Sequence, residues 1–266
     1  MKMVTFGQLP AVCITAPDGA TATIALYGAH LASWTTADGR ERLFMSDKSP
    51  RDGSAAIRGG VPVIFPQFST RGTGQRHGVA RLSHWRVADS GLDAGSAWVE
   101  LALTHEDVPP TLAAGWPHAF ALRLRFTLRG DAIDMRFNVR NTGDAPFDFA
   151  AALHTYYAVE DFTRTVVEGL PDESPLYFGP KLDNIYAAPP TLALHTGAGT
   201  LALQQQGFTE WVVWNPGAEG AAALNDMADD EWQRFVCIEP ARVDKKELAA
   251  GAEWTGQHSI ALTAIP

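Results

Sequence analysis

The chain has few cysteines, no long apolar run and no surplus of positive charge, and each shortage removes a class of protein. Two cysteines in 266 residues, Cys13 and Cys237, cannot build a disulfide framework and are too few for a structural zinc site made of thiolates. They read as two reduced, buried thiols. No stretch approaches the roughly 18 consecutive apolar residues of a membrane helix. The N-terminal ten residues carry a proline and polar groups where a signal peptide needs an unbroken apolar segment. The expected location is therefore cytoplasmic, with no membrane partner. Lys and Arg number 21 against 30 Asp and Glu, a net charge of -9, which opposes attraction to polyphosphate and anionic lipid. A nucleic-acid partner is not expected, and an anionic ligand would have to be met by a few local cations.

Chemical motifs are missing too. The eight histidines include no His-x-x-x-His pair, no Gly-x-Ser-x-Gly elbow occurs, and no glycine-rich turn is followed by Lys-Ser/Thr or set in a βαβ pattern. A helical catalytic zinc site, a hydrolase nucleophile and a nucleotide-phosphate loop therefore have no support. Nor is there an internal repeat or a low-complexity linker. The reading is one domain spanning residues 1–266.

What is present is alternation. Phe120, Leu122, Leu124, Phe126 and Leu128 interleave with Ala121, Arg123, Arg125, Thr127 and Arg129. After a turn at Gly130-Asp131, Ile133, Met135, Phe137 and Val139 interleave with Asp134, Arg136, Asn138 and Arg140. A period of two on both sides of a turn predicts a hairpin with a solvated arginine face. Shorter strands are expected at 22–26, 97–103, 147–153, 165–168, 199–203, 211–214, 235–238 and 259–263. One helix is expected over 224–234, and 169–190, with its five prolines, reads as a long loop. Many short strands and few helices give an all-β class, a sandwich or barrel.

Two titratable residues stand out. In the 147–154 run, Phe147, Phe149, Ala151 and Leu153 fall on one face, and Asp148, Ala150, Ala152 and His154 on the other. His154 thus stands beyond a row of alanines that leaves room for a ligand, with Thr155, Tyr156 and Tyr157 following. A histidine satisfied by backbone or carboxylate fits the same pattern. Glu239 closes the apolar run Phe235–Ile238 and precedes Pro240; buried, it needs a partner, and an arginine or solvent could supply one. The two lie 85 residues apart, so only the fold can join them. Arg58 beside Gly59-Gly60, and Arg76 and Arg81 around His77-Gly78, offer cations suited to phosphate or carboxylate.

Seven segments together resemble the aldose 1-epimerase (mutarotase) superfamily, and within it the hexose-6-phosphate branch. They are 28–34 (GAHLASW), 57–68 (IRGGVPVIFPQF), 77–81 (HGVAR), 153–157 (LHTYY), 182–186 (LDNIY), 213–217 (VWNPG) and 236–240 (VCIEP), spread over nearly the whole chain. The resemblance implies a large antiparallel β-sandwich of the galactose mutarotase-like supersandwich type, with one or two short helices and a concave face that binds a sugar. It implies Glu239 as general base and His154 as general acid, His77 and Asp183 as sugar contacts, Arg58 and Arg81 as sugar or phosphate contacts, and Gln67 as a further substrate contact. The expected reaction is anomer interconversion of a hexose 6-phosphate by a monomer that uses no metal or other cofactor. A mutarotase of free aldoses and a non-catalytic carbohydrate-binding module stay open as alternatives. In that chemistry Glu239 starts ionised and His154 protonated.

Overall fold

The computed structural model describes residues 1–171, 173–197 and 199–263. In chain order the strands are β1 (Lys2–Phe6), β2 (Leu9–Thr15), β3 (Thr21–Ala25), β4 (His30–Thr35), β5 (Val63–Ile64), β6 (Arg86–Asp93) and β7 (Ser96–Thr104). They continue with β8 (Phe120–Arg129), β9 (Ala132–Asn141), β10 (Phe147–Leu153), β11 (Tyr156–Ala158), β12 (Val166–Glu168) and β13 (Leu176–Tyr177). The last are β14 (Leu182–Ala187), β15 (Thr191–His195), β16 (Thr200–Gln206), β17 (Glu210–Asn215), β18 (Phe235–Leu248) and β19 (Glu253–Thr263). Two short helices, α1 (Pro110–Ala113) and α2 (Gly217–Ala222), complete the regular structure together with 3₁₀ turns.

Among the described residues, three antiparallel sheets result. One runs β1-β2-β3-β4, the second β14-β17-β18-β10-β5 with β11 also on β18, and the third β13-β12-β15-β16-β19-β9-β8-β7-β6. The expected all-β sandwich with short helices is what forms. A single apolar cluster joins them, with Val12 and Trp34 from the first sheet, Phe149, Trp211 and Val213 from the second, and Phe126 and Phe137 from the third. Burial of each such side chain contributes roughly 1.5–3 kcal/mol, so this shared interior holds the sheets face to face.

The hairpin forms as its alternation predicts. β8 pairs with β9 in the register Phe126 to Met135 and Arg129 to Ala132, and the apolar set faces inward. Arg123 and Arg129 lie on the outer face in ion pairs with Glu100 and Asp134, contacts that add little in solvent. β10 also alternates as expected. Phe149, Ala151 and Leu153 enter the central core, while Ala150 and Ala152 turn to the opposite face and pack with Ile64, Phe68, Val212 and Ala241. That opposite face is buried as well, and Phe68 and Val212 form part of the wall of a cleft.

Several expectations are corrected. The segment 224–234 is turns followed by a 3₁₀ turn at Glu231–Arg234; the short helix lies earlier, at α2. The 169–190 loop contains two strands, β13 and β14, and β14 is the edge strand that pairs with β17. β1, β2, β4, β5, β6, β11 and β15 fall outside the segments expected to be strands. β18 does not end at Glu239 but continues through Pro240 to Leu248. Pro240 is tolerated mid-strand because it falls between Cys237, which pairs with Tyr156 of β11, and Ala241, which pairs with Ala152 of β10; there the ladder on that side is interrupted. Cys13 is half-buried, and only Cys237 is fully enclosed.

Candidate active site

β18 lies between β10 and β17, and this order is what joins the two residues that are 85 positions apart. His154 follows β10, its backbone N–H donating to the Pro62 carbonyl at 3.0 Å. Glu239 sits in β18 opposite Val212 of β17. The His154 Nδ1 and Glu239 Oε1 atoms are 3.2 Å apart. The approach is not aligned as a hydrogen bond: neither His154 Nδ1 nor Glu239 Oε2 has a partner, although both atoms are buried. Unpaired buried polar atoms are costly, about 1–3 kcal/mol each, and their presence marks a site that stability alone does not explain.

Aromatic rings fix the imidazole. It stacks on Tyr156 at 4.9 Å with 9° between planes, and meets Trp214 edge-on at 5.9 Å and His77 edge-on at 5.7 Å. Of the three residues after His154, only Tyr156 lines the cleft. The Thr155 hydroxyl bonds back to the Leu153 carbonyl, and Tyr157 turns to the core, its hydroxyl on His258 Nε2 at 2.8 Å.

His77 occupies a strained turn. Ser69 and His77 have φ of 47° and 61°, in the left-handed region that costs a non-glycine residue about 1–2 kcal/mol. The His77 N–H donates to the Ser69 carbonyl at 3.1 Å, and the Ser69 N–H donates to His77 Nδ1 at 3.2 Å. Nδ1 is thus an acceptor, and a neutral His77 carries its proton on Nε2. Burial and the nearby arginines Arg81, Arg76 and Arg58 hold its pKa down to about 3, so it is neutral at physiological pH. At Gly78 an added Cβ would collide with the Phe65 carbonyl, which is why glycine follows the turn.

The two expected cations have different settings. Arg58 is anchored: Nη1 donates to the Tyr156 hydroxyl at 2.9 Å, and Nε and Nη2 both reach Asp226 Oδ2 at 3.1 Å. Tyr156 and Asp226 together raise its pKa against the effect of burial. Arg81 donates from Nη2 to the Arg76 carbonyl at 3.1 Å, and its buried Nε has no partner. Among the described residues no carboxylate pairs with it, and burial pulls its pKa down to about 10. Gly59 and Gly60, beside Arg58, let backbone pass backbone: a Cβ there would strike the Phe44 and Leu31 carbonyls.

His154, Glu239, Arg58, His77, Arg81 and Asp183 all line one cleft of about 440 Å³, together with Trp214, Tyr156 and Asp226. This volume suits a small ligand. Gln67 is not among the lining residues. Its side chain is spent on the neighbouring loop, with Nε2 donating to the Ser69 and Gly74 carbonyls and Oε1 accepting from the Gly74 N–H. Asp226 and Trp214 were not among the site residues expected from sequence. Asp226 lay inside the supposed helix, and Trp214 within the 213–217 segment, so a tryptophan near the site was within reach of sequence and Asp226 was not.

Burial raises the Glu239 pKa well above the usual carboxylate range, reinforced by the Asp183 charge, and burial, with His77, Arg58 and Arg81 close by, lowers that of His154. Both shifts favour uncharged forms, with the proton on Glu239. These directions oppose the expected starting states, because desolvation outweighs mutual attraction.

The family description "Aldose 1-epimerase" matches residues 10–174. The chain belongs to the aldose 1-epimerase family. A protein from Cenchrus ciliaris named "Putative glucose-6-phosphate 1-epimerase" is 35% identical across 92% of this chain and 82% of its own length. One of the same name from Escherichia coli K12 is 31% identical across 83% and 79%. In fold, the chain is similar to the crystal structure of a "putative mutarotase" from Salmonella typhimurium, with a TM-score of 0.87, 24% identity, and coverage of 99% of this chain and 93% of that one. Among the described residues, no helix is long and apolar enough to cross a membrane.

Proposed function

We propose that this chain interconverts the α and β anomers of a hexose 6-phosphate, D-glucose 6-phosphate foremost, by acid–base opening and closing of the sugar ring. Arg81 is the observation that carries the substrate class: it shares the cleft with His154 and Glu239 but has no carboxylate partner among the described residues. A half-buried cation whose enclosed Nε has no partner is costly, and a phosphate dianion would offset that cost through charge-assisted hydrogen bonds. The relatives named for glucose 6-phosphate support the same class. In this reading Arg81 receives the phosphate, Arg58 is held ready by Asp226, and His77 Nε2–H and Asp183 meet sugar hydroxyls.

Ring opening removes a proton from the C1 hydroxyl and delivers one to the ring oxygen, so one acceptor and one donor suffice. The pair, 3.2 Å apart, shares a single exchangeable proton. A dianion beside Arg58 and Arg81 cancels part of the positive potential that depresses His154, and the proton moves from Glu239 toward the imidazole. Glu239 then accepts the C1 hydroxyl proton as His154 donates to the ring oxygen. Rotation about C1–C2 presents the other face of the aldehyde, and closure returns both protons.

The test is anomer exchange followed by saturation-transfer NMR on glucose 6-phosphate beside free glucose and free galactose. Catalysed exchange is expected on the phosphorylated sugar at ten or more times the free-sugar efficiency. Equal efficiency would favour a free-aldose mutarotase, and no catalysed exchange on any of them would favour a binding module.

A further inference from the structure

We propose that Cys237, His154 and Glu239 form a site for a thiophilic divalent cation such as Zn²⁺ or Cd²⁺, and that its occupation shuts off the proton-transfer pair. The sulfur of Cys237, a ring nitrogen of His154 and a carboxylate oxygen of Glu239 all lie within 4.8 Å of one another. Cys237 and Glu239 are two positions apart on β18, and His154 reaches them from the end of the neighbouring β10. The thiol itself is enclosed behind the cleft, in the cluster containing Phe44, Met227 and Phe235. Two of the donor groups point to a ligand independently of the cysteine: His154 Nδ1 and Glu239 Oε2 are buried without hydrogen-bond partners, and both residues face the cleft.

The donor set is chemically selective. Thiolate, imidazole and one carboxylate suit zinc and its heavier congener, whereas magnesium and calcium need an oxygen cage. With metal–sulfur bonds of about 2.3 Å and metal–nitrogen bonds of about 2.0 Å, tetrahedral donors sit roughly 3.5 Å apart. The three groups therefore need to close by roughly 1.3 Å at most, within reach of side-chain torsions. Charge does not oppose the ion. Its entry releases one proton from the Cys237 thiol and one from the Glu239–His154 pair, so two positive charges leave as two arrive and the adjacent arginines meet no new net charge. A fourth ligand would have to come from the cleft, which His154 and Glu239 line. Once coordinated, His154 has lost the lone pair and Glu239 the carboxylate that proton transfer uses.

Binding can be read without any turnover. Titrating the thiol-free, reduced protein with Cd²⁺ should give a saturable thiolate-to-cadmium ultraviolet band, and Co²⁺ should give tetrahedral visible bands. The Cd²⁺ band should persist in Cys13→Ser, vanish in Cys237→Ser, and require at least tenfold more metal in His154→Ala. The inhibition arm rests on the proposed activity: Zn²⁺ should abolish anomer exchange, a chelator should restore it, and Cys237→Ser should keep the metal-free rate while resisting Zn²⁺ at least tenfold better. Cys237→Ala serves if the serine variant misfolds, and the cobalt spectrum of the unaltered protein needs no variant. Absence of both bands, or a Cd²⁺ band that follows Cys13, overturns the site. Metal binding with no exchange on any sugar leaves the site standing and removes the activity instead.

Discussion

Two glutamates are each 1% exposed, yet they have opposite surroundings. Glu231 accepts from the Ser46 hydroxyl at 2.7 Å, the Asp47 N–H at 2.9 Å and the Ala228 N–H at 2.8 Å. It ties the loop that holds Asp226, and so Arg58, to the turn after the first sheet. Glu239 has a histidine at 3.2 Å and an oxygen with no partner. The histidines repeat the contrast. His258 uses both ring nitrogens, on Tyr157 and on the Gln204 carbonyl, whereas His154 Nδ1 has no aligned partner. Burial does not separate the structural from the reactive member of either pair; satisfaction does. A fully bonded carboxylate stabilises its loop, and a half-bonded one is available to exchange a proton.

The sharpest break of this contrast is in turnover. His154→Ala should lower anomer exchange by about 100-fold or more, while His258→Ala should act mainly on stability; comparable rate losses per folded molecule would erase the distinction. Stability should divide the glutamates the other way. Glu231→Gln should lose about 1–3 kcal/mol in denaturant melts, since charge-assisted bonds are weakened. Glu239→Gln should lose nothing or gain at pH 7, because an ionised form that is favoured in the unfolded chain is penalised in the fold. Next is Arg81→Ala. It should raise KM for the phosphorylated sugar by about tenfold and leave free sugar nearly unchanged, equivalent to about 1.4 kcal/mol at one charged contact; equal changes for both sugars would refute its phosphate role.

A pH slope tests the histidine half of the contrast. Burial lowers the His258 pKa from about 6.5 to about 4. Between those values the unfolded chain binds the additional proton, so stability is fully present above 6.5 and falls as pH drops toward 4. The slope is up to about 1.4 kcal/mol per pH unit. Replacing His258 with Gln should flatten the stability curve over that interval, measured by denaturant midpoints at stepped pH. An unchanged slope would show that His258 does not titrate as its enclosure requires.

Sequence legibility followed the same physics. The β8–β9 hairpin was readable because one face is wet and one dry, so alternation survives in the residues themselves. β14 was not, since Asp183, Asn184 and Ile185 are all exposed on an edge strand and no buried face imposes a period of two. The 224–234 segment has acidic residues suited to a helix start, but Glu231 spends its carboxylate on Ser46 and Asp47 and the chain turns instead. α2 begins at Pro216-Gly217 and contains Gly220, a poor intrinsic helix that its surroundings impose. His154 and Glu239 could be nominated singly, and the resemblance joined them. Their 3.2 Å approach depends on β10 pairing with β18, and the division of labour between Arg58 and Arg81 depends on Asp226, which local sequence does not connect to either.

The most direct test of the reactive pair is saturation-transfer NMR on glucose 6-phosphate with Glu239→Gln, at a concentration where the unaltered protein gives full exchange. The account predicts a folded protein that still binds the sugar phosphate and transfers no saturation beyond the buffer rate. Exchange at the unaltered protein's rate would contradict it.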